Sequence, residues 1–209
     1  PGIYSILGPN ASGKTTLIKA ILGMVIPQKG DIVFRGKNIR RSHLYREELS
    51  YLPQIARFPE NLKVHELFEM IQDLRKRKGD LDELINNLKL EPYLNSKLAI
   101  LSGGTKQKVN LVLTFMYDNP IIILDEPTTG LDPVALIYLK KLIKAEKEKG
   151  KIILITTHIM EIVEELSDEI VFLLEGEIYF RGTVNNLLEE YSETKIENAI
   201  AKILINKSK

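Results

Sequence analysis

Cysteine and tryptophan are both absent from this chain of 209 residues. A protein without thiols forms no disulfide, uses no cysteine nucleophile and holds no zinc through sulfur, so these classes are excluded and a reducing compartment fits. No apolar run approaches the roughly 18 residues of a membrane-spanning helix, and no basic stretch followed by an apolar core stands at the start. We therefore expect a chain that is soluble on its own.

An excess of either charge is also missing. Lysine and arginine number 29 against 28 aspartates and glutamates, so overall charge points to neither nucleic acid nor an anionic membrane. The basic run RKRK at 75–78 is either a nucleic-acid patch or a solvated helix end, and short runs at helix ends are usually the latter. We expect no nucleic-acid partner. Hydrophobic residues make up 44%, enough for the core of one large domain, or of a domain with a subdomain.

A glycine-rich turn near the start follows an apolar strand pattern at 3–7 and precedes a helical pattern at 15–22. This order distinguishes a phosphate-binding loop from a chance glycine-rich helix cap. The turn fits G-x-x-x-x-G-K-[ST], and its residues are Gly8, Pro9, Asn10, Ala11, Ser12, Gly13, Lys14, Thr15 and Thr16. We expect its backbone N–H groups to point at phosphates. Lys14 should reach the β- and γ-phosphates, and Thr15 should bind Mg²⁺.

Two carboxylates stand at the end of an apolar run, IIILDE at 121–126. The run predicts a buried strand whose carboxyl edge is the usual ligand-binding edge of an open α/β sheet. Asp125 is therefore the candidate Mg²⁺ partner, and Glu126 the candidate base that deprotonates an attacking water. Taken alone, the same residues could simply cap the next turn.

Two further polar residues follow strand patterns. His158 comes after IILITT and should emerge at the same edge, where it can hydrogen-bond a γ-phosphate or the attacking water. Gln54 follows YLP, and its amide can contact Mg²⁺ and water together. Either residue alone would more often be structural. His43 and His65 have no supporting chemistry nearby and are interpreted as surface residues.

Strand and helix patterns alternate in the second half of the chain. Strands are predicted at 120–127 and 151–158, with helices at 133–148 and 159–166. Because the isoleucine and leucine runs are continuous, the strands should be covered on both faces in a mostly parallel sheet. The fold class is thus α/β, a P-loop NTPase with flanking helices. Residues 169–182 predict two strands that turn at Glu175-Gly176, and Ile196, Ala199, Ile200 and Ile203 predict one face of a final helix.

Short strands are predicted at 30–36 and 49–54, and a helical insert from about 58 to 98. The insert carries two helical stripes separated by KRKGD: Leu67, Met70, Ile71 and Leu74, then Leu81, Leu84, Ile85 and Leu88. We interpret 1–57 and 110–209 as the nucleotide-binding core and about 58–109 as a helical subdomain. Because Pro1 lies so close to the phosphate loop, we expect further strands upstream of it.

The motifs GPNASGKTT, YLPQ, LSGGTKQKV, IIILDEP, GLDP and TTH, in this order, resemble the ATP-binding subunit of ABC transporters over essentially the whole chain. The specific feature is LSGGT, whose Gly103 lies 22 residues before Asp125, a combination that other P-loop classes lack. The resemblance implies an ATPase that binds ATP and Mg²⁺ and dimerises head to tail, as a homodimer or with a second ABC ATPase subunit. It also implies a separate integral membrane permease subunit and a cytoplasmic place on the inner face of the membrane.

The resemblance assigns roles residue by residue. Gln54 lies in the loop beside the groove for the membrane subunit, Asp132 lies in the loop that crosses between subunits, and His158 is the switch histidine. The signature residues Ser102, Gly103 and Gly104 would meet the γ-phosphate held by the other subunit. The implied Mg²⁺ ligands are Thr15, Gln54 and Asp125.

Three departures from the family pattern stand out. Ala11 replaces a usual glycine, which should leave the backbone donors of the loop usable. Thr105 replaces a usual glutamine, which puts one polar contact near the partner's nucleotide in doubt. The aromatic residue that usually stacks on adenine lies upstream of the loop, where this sequence has no counterpart, so we expect weak affinity for the base.

Other P-loop proteins are the alternatives. DNA-repair clamps of the ABC class insert a very long coiled coil, whereas only 89 residues separate Gly13 from Ser102 here. ABC translation factors join two cassettes, and this sequence has one. A small-molecule kinase would have no use for LSGGT. Residues 156–182 together with LSGGTKQK look like ATPases of exporter-type systems with a separately encoded membrane subunit, including those of copper-site maturation for nitrous-oxide reductase.

Overall fold

The computed structural model describes residues 1–207. Its strands are β1 (Gly2–Leu7), β2 (Val33–Phe34), β3 (Lys37–Asn38), β4 (Leu49–Leu52), β5 (Ile121–Asp125), β6 (Ile152–Thr156), β7 (Glu169–Leu174) and β8 (Glu177–Gly182). Its α-helices are α1 (Lys14–Ile21), α2 (Val64–Arg75), α3 (Asp82–Asn87), α4 (Gly103–Phe115), α5 (Pro133–Glu148), α6 (Met160–Leu166), α7 (Val184–Tyr191) and α8 (Ile196–Lys207). Short 3₁₀ turns occur at Ile39–Arg41, Leu44–Glu48, Glu91–Tyr93 and Leu98–Ile100.

The main sheet has six strands in the order β4-β5-β6-β1-β7-β8. All neighbours are parallel except β7 and β8, which form an antiparallel hairpin. The mostly parallel sheet is therefore confirmed. Parallel pairing brings the carboxyl ends of β1, β4, β5 and β6 to one edge, and this edge is where the predicted site residues follow the strands.

The hairpins differ in how well the sequence predicts them. Glu175 and Gly176 turn the β7–β8 hairpin with φ of 52° and 82°, as a two-residue turn between twisted strands requires. The strand predicted at 30–36 is wrong in extent, since only Val33–Phe34 pair, with Lys37–Asn38. A two-stranded ribbon outside the main sheet offers little apolar surface to extend the pairing.

One apolar core joins the helices after β4 to the main sheet. Residues from α2, α3 and α4, such as Leu67, Leu84 and Leu111, pack in the same cluster as Leu124 and Ile155 of the sheet. Both predicted helical stripes are confirmed except at Leu74, which is 72% exposed. That residue lies at the end of α2, beyond the part of the helix that packs on the core.

The predicted boundary between the helical subdomain and the core, at 109/110, stays a prediction, and α4 runs across it.

A second cluster holds the C-terminal helices against β7 and β8. Ile196, Ala199 and Ile203 are buried in it, as predicted. Helix α7 was not predicted from the sequence, although Thr183 and Asn186 mark its start with a reciprocal cap. In the described part of the chain, no helix has the length and apolar character needed to span a membrane.

Candidate nucleotide-binding site

The glycine-rich turn leads from β1 into α1 along a path that requires glycine at its first position. Gly8 has a φ of 149°, and a Cβ there would lie 2.1 Å from the backbone oxygen of Leu173. The turn ends at Gly13, and among the described residues no side chain caps α1. The first N–H groups of α1 are therefore available to an anion.

Ala11 adopts the left-handed backbone conformation, with a φ of 64°. A residue with a Cβ pays about 1 kcal/mol for this conformation, whereas glycine adopts it freely. The geometry therefore explains the usual glycine at this position. That the loop's backbone donors stay usable with alanine remains a prediction.

The ammonium of Lys14 is held inside the loop. Its Nζ donates hydrogen bonds to the carbonyl oxygens of Gly8 at 2.6 Å and Pro9 at 2.8 Å. Burial lowers the pKa of Lys14, and the negative charges of Glu126 and Asp125 oppose this shift. A cation thus lies between the helix start and the two carboxylates, where it can pair with phosphate oxygens.

The two carboxylates are buried at the end of β5 and are held by the neighbouring strand. Thr156 lies opposite Asp125 in the register of β5 and β6, and its hydroxyl donates to Asp125 Oδ1 at 2.5 Å. The backbone N–H of Glu126 donates to the carbonyl oxygen of Thr156 at 3.0 Å. Glu126 has a φ of 49°, so the chain turns sharply off the strand at this residue.

His158 lies beside Glu126. Its Nδ1 is 2.9 Å from Glu126 Oε2, and its side chain is 77% exposed. The imidazole is therefore hydrogen-bonded to the carboxylate on one side and open to solvent on the other. The structure thus brings these two sequence-predicted residues into direct contact.

A cavity of about 350 Å³ unites most of the predicted residues. Its lining consists of Asn10, Ala11, Ser12, Gly13, Lys14, Thr15, Thr16, Gln54, Asp125 and Glu126. Gln54 comes from the loop after β4, 40 residues beyond Lys14 in the sequence. The hydroxyl of Ser12 is buried without a hydrogen-bond partner in the described part of the chain. An unpaired buried donor in such a loop fits a phosphate oxygen.

The signature residues do not line this cavity. Ser102 caps α4, since its Oγ accepts from the N–H of Thr105 at 3.2 Å and lies 2.8 Å from Thr105 Oγ1. Gly103 is exposed, and a Cβ there would meet nothing within 4 Å. A Cβ on Gly104 would lie 2.6 Å from the carbonyl oxygen of Gly130. The signature therefore packs on the loop before α5, outside its own phosphate cavity.

Asp132 belongs to this second group. Its Oδ1 accepts from the N–H of Ala135 at 2.9 Å and so caps α5, while its Oδ2 lies 2.6 Å from Lys108 Nζ. The hydrogen bond from Lys108 is the largest cause that lowers the pKa of Asp132, and the bond from Ala135 adds to it. The loop before α5 is thus tied to α4 by an ion pair.

The sequence model described as "ABC transporter" matches residues 2–129. The chain belongs to the ABC transporter family. "Nod factor export ATP-binding protein I" of Rhizobium sp. (strain N33) is 32% identical over 194 residues, 90% of this chain and 64% of that protein. "ABC-type transporter ATP-binding protein EcsA" of Bacillus subtilis (strain 168) is 33% identical over 195 residues, 90% of this chain and 79% of that protein.

The chain spans only 64% and 61% of the first two curated relatives it matches. Among solved structures, "Structure of ATP binding subunit of ABC transporter" superimposes with a TM-score of 0.90 at 29% identity, covering 97% of this chain and 88% of that one. An ATP-binding cassette solved as a dimer in a post-hydrolysis state with ADP and Pi gives a TM-score of 0.77 at 24% identity, covering 88% and 85%. The predicted P-loop fold of ABC ATPases is confirmed.

This ABC protein offers few side chains that could bind a metal ion at the site. Within residues 1–207, side chains of histidine, aspartate and glutamate form no cluster of three that could hold a metal ion. Thr15, Gln54 and Asp125 offer one hydroxyl, one amide and one carboxylate around the same cavity. Such a set fits Mg²⁺, which is usually bound by one or two carboxylates together with substrate phosphates and waters.

Thr156 is the residue of this ABC site that sequence reasoning missed. It contacts both Asp125 and Glu126, and it belongs to the TTH motif that was used only for His158. Its position at the end of an apolar strand was the one feature of the sequence that could have marked Thr156 as a site residue. The strand pairing that puts it opposite Asp125 could not be derived from the motif.

Proposed function

We propose that this chain binds MgATP, hydrolyses it to ADP and phosphate in a head-to-tail dimer, and drives a separate membrane permease subunit. One observation carries the proposal. Lys14, Gln54, Asp125 and Glu126 converge on one cavity, while the signature residues Ser102, Gly103 and Gly104 do not line it. A complete site then needs a second subunit.

The groups around the cavity suit hydrolysis of a phosphoanhydride. The loop N–H groups and Lys14 bind the phosphate oxygens and offset charge that develops during transfer. Glu126 accepts a proton from the attacking water, and His158, bonded to its Oε2, fixes the carboxylate and can reach the γ-phosphate. Thr15, Gln54 and Asp125 would hold Mg²⁺, which would neutralise negative charge on the phosphates.

The second subunit would contribute Ser102, Gly103, Gly104 and the loop around Asp132. The exposed Gly103 lets a phosphate approach the start of α4, where free N–H groups and the helix dipole favour an anion. ATP would then join the two subunits, and hydrolysis would remove the phosphate that both of them bind. A homodimer and a heterodimer with a second ABC ATPase both fit this arrangement.

A groove beside β4, the strand that leads to Gln54, supports the membrane partner. A cavity of about 230 Å³ there is lined by Leu22, Met24, Arg46, Leu49, Ser50, Tyr51, Arg75, Leu113 and Tyr117. Met24 is 64% exposed, and Ile55, directly after Gln54, is 65% exposed. Exposed apolar side chains around a groove are typical of a protein interface. We propose that a cytoplasmic helix of the permease docks here and holds the chain at the inner face of the membrane.

Glu126→Gln tests the ATPase proposal. The substitution keeps the side chain's shape and removes the base, so we expect MgATP binding with hydrolysis slowed by about 100-fold or more and accumulation of an ATP-bound dimer. Light scattering coupled to size exclusion, with and without MgATP, measures the dimer, and phosphate release measures turnover. Glu164→Gln, an exposed change on α6, is the matched control. A Glu126→Gln protein that hydrolyses ATP at the wild-type rate would refute the assignment.

The permease docking is tested with a single thiol. Since the chain has no cysteine, Ile55→Cys gives one exposed cross-linking position directly after Gln54. In cells we expect its adduct to contain an integral membrane protein, identified by mass spectrometry as an ABC permease. Ile205→Cys on α8, where the isoleucine is 57% exposed, should not give it. Recovery of only soluble proteins from Ile55→Cys would count against the proposed partner.

A further inference from the structure

Two buried side-chain amides on α4 bond to backbone outside the helix. Gln107 and Asn110 are each only 4% exposed. Gln107 Nε2 donates to the carbonyl oxygen of Pro127 at 3.2 Å. Asn110 Nδ2 donates to the carbonyl oxygen of Pro53 at 3.2 Å and lies 3.5 Å from Gln107 Oε1. We refer to Gln107 and Asn110 as the amide pair.

The two carbonyl groups belong to the loops that deliver the site residues. Pro53 follows β4 and directly precedes Gln54, and Pro127 directly follows Glu126 at the end of β5. Neither proline has an N–H that could continue strand pairing, so both loops leave the sheet at this point. Through the amide pair, the single helix α4 is hydrogen-bonded to both loops at the points where they leave the sheet.

The same helix begins at the signature. Ser102 caps it, and the amide pair lies one to two turns further along α4. An α-helix moves as a stiff unit over such a distance, and buried hydrogen bonds are costly to break because no water replaces the lost partner. A shift of the signature end would therefore be passed to the backbone beside Gln54 and Glu126.

We propose that Gln107 and Asn110 are positioning residues that set Gln54 and Glu126 relative to the signature of the same subunit. This inference rests on the proposed function. In the proposed dimer, each composite ATP site combines the phosphate cavity of one subunit with the signature of the other. The signature of a given subunit therefore contacts the phosphate in one site, whereas Gln54 and Glu126 of that subunit act in the other site. The amide pair therefore couples the two ATP sites of the dimer.

Thr114 provides a matched control on the same helix. It is also buried and polar, but its hydroxyl donates to the carbonyl oxygen of Asn110, inside α4, at 2.8 Å. Thr114→Val therefore removes a buried hydrogen bond without touching either loop. Asn110→Leu keeps most of the volume and removes the bridging donor. Both variants should be destabilised, so stability alone does not separate the two roles.

The test measures ATP turnover against MgATP concentration for the full chain. Misplacing catalytic groups by a fraction of an ångström is expected to lower kcat by about 10-fold or more. Asn110→Leu should show this fall with KM and MgATP affinity changed less than about twofold, because the phosphate loop is untouched. Thr114→Val should keep kcat within about twofold of wild type. Gln107→Met should resemble Asn110→Leu, and the double variant should lose little more than either single one, as residues acting as a unit do.

The outcomes separate the inference from the function on which it rests. Asn110→Leu and Gln107→Met could both melt at a lower temperature than wild type and still have the same kcat as Thr114→Val. In that case the amide pair stabilises the fold without positioning Gln54 and Glu126, and the inference is overturned. Additive losses in the double variant would likewise overturn the shared role. If Asn110→Leu does not fold, Gln107→Met alone decides. A wild-type chain that neither binds nor hydrolyses MgATP would overturn the proposed function as well.

Discussion

Lys14 shows how one side chain depends on its loop. Its ammonium bonds to the carbonyl oxygens of Gly8 and Pro9 and lies near two buried carboxylates, so it is already ordered where phosphates would bind. Lys14→Ala deletes this cation. Because charge-assisted hydrogen bonds contribute about 1.5–3 kcal/mol each, we expect MgATP affinity to fall by about 100-fold or more.

Equilibrium binding of MgATP followed by calorimetry measures the effect of Lys14→Ala. Lys19→Ala is the matched control, since Lys19 is exposed on the same helix and does not line the cavity. Unchanged affinity in Lys14→Ala, or an equal loss in Lys19→Ala, would contradict the role given to Lys14.

At the scale of elements, the start of α4 offers two adjacent glycines with different surroundings. A Cβ on Gly104 would press into the carbonyl oxygen of Gly130 at 2.6 Å, whereas one on Gly103 meets nothing within 4 Å. We therefore expect Gly104→Ala to lower the free energy of unfolding by about 1–3 kcal/mol. Gly103→Ala should change it by less than about 1 kcal/mol. Urea unfolding of both variants measures the difference.

The same pair separates folding from assembly. Gly103→Ala should fold normally and yet weaken ATP-dependent dimerisation, because its new methyl group stands where the partner's phosphate is expected. Equal stability of the two variants would show that α4 can move away from Gly130 at little cost. Unimpaired dimerisation of Gly103→Ala would weaken the assignment of Gly103 to the interface.

At the scale of the whole molecule, the phosphate cavity and the signature of one subunit are separate, and the proposal joins them only across a dimer. Lys14→Ala destroys the cavity's cation but keeps the signature. Ser102→Arg keeps the cavity and fills the approach to α4. In a mixed dimer, one composite site carries both lesions and the other carries none. We expect MgATP-dependent association of the two mutants, which neither shows alone.

Pull-down between differently tagged mutants measures this association, and turnover is a secondary readout because hydrolysis can require both sites. Wild-type protein with both tags is the positive control. A Ser102→Arg protein with normal ATP turnover, or mutants that never associate while wild type does, would reject the role of the signature in the partner's site.

The sequence alone determined the features that depend on nearby residues. The apolar run before Asp125, the periodic helix at Pro133–Glu148 and the glycine pattern around Lys14 are each set by residues within a few positions of one another, where backbone preferences and spacing decide the structure. The mostly parallel sheet followed from the continuous apolar strands. Most of the candidate site was therefore predictable, because its residues directly follow predicted strands.

Tertiary structure decided whatever depends on which strands and helices become neighbours. Thr156 meets Asp125 because β6 pairs with β5, and Asn110 meets the carbonyl of Pro53, 57 residues away, because α4 packs beside β4. Leu74 fits a helical stripe and is nevertheless exposed, since the core ends before the helix does. Pairing and packing between distant segments depend on how the whole chain buries its apolar surface, so they cannot be predicted from a local sequence pattern.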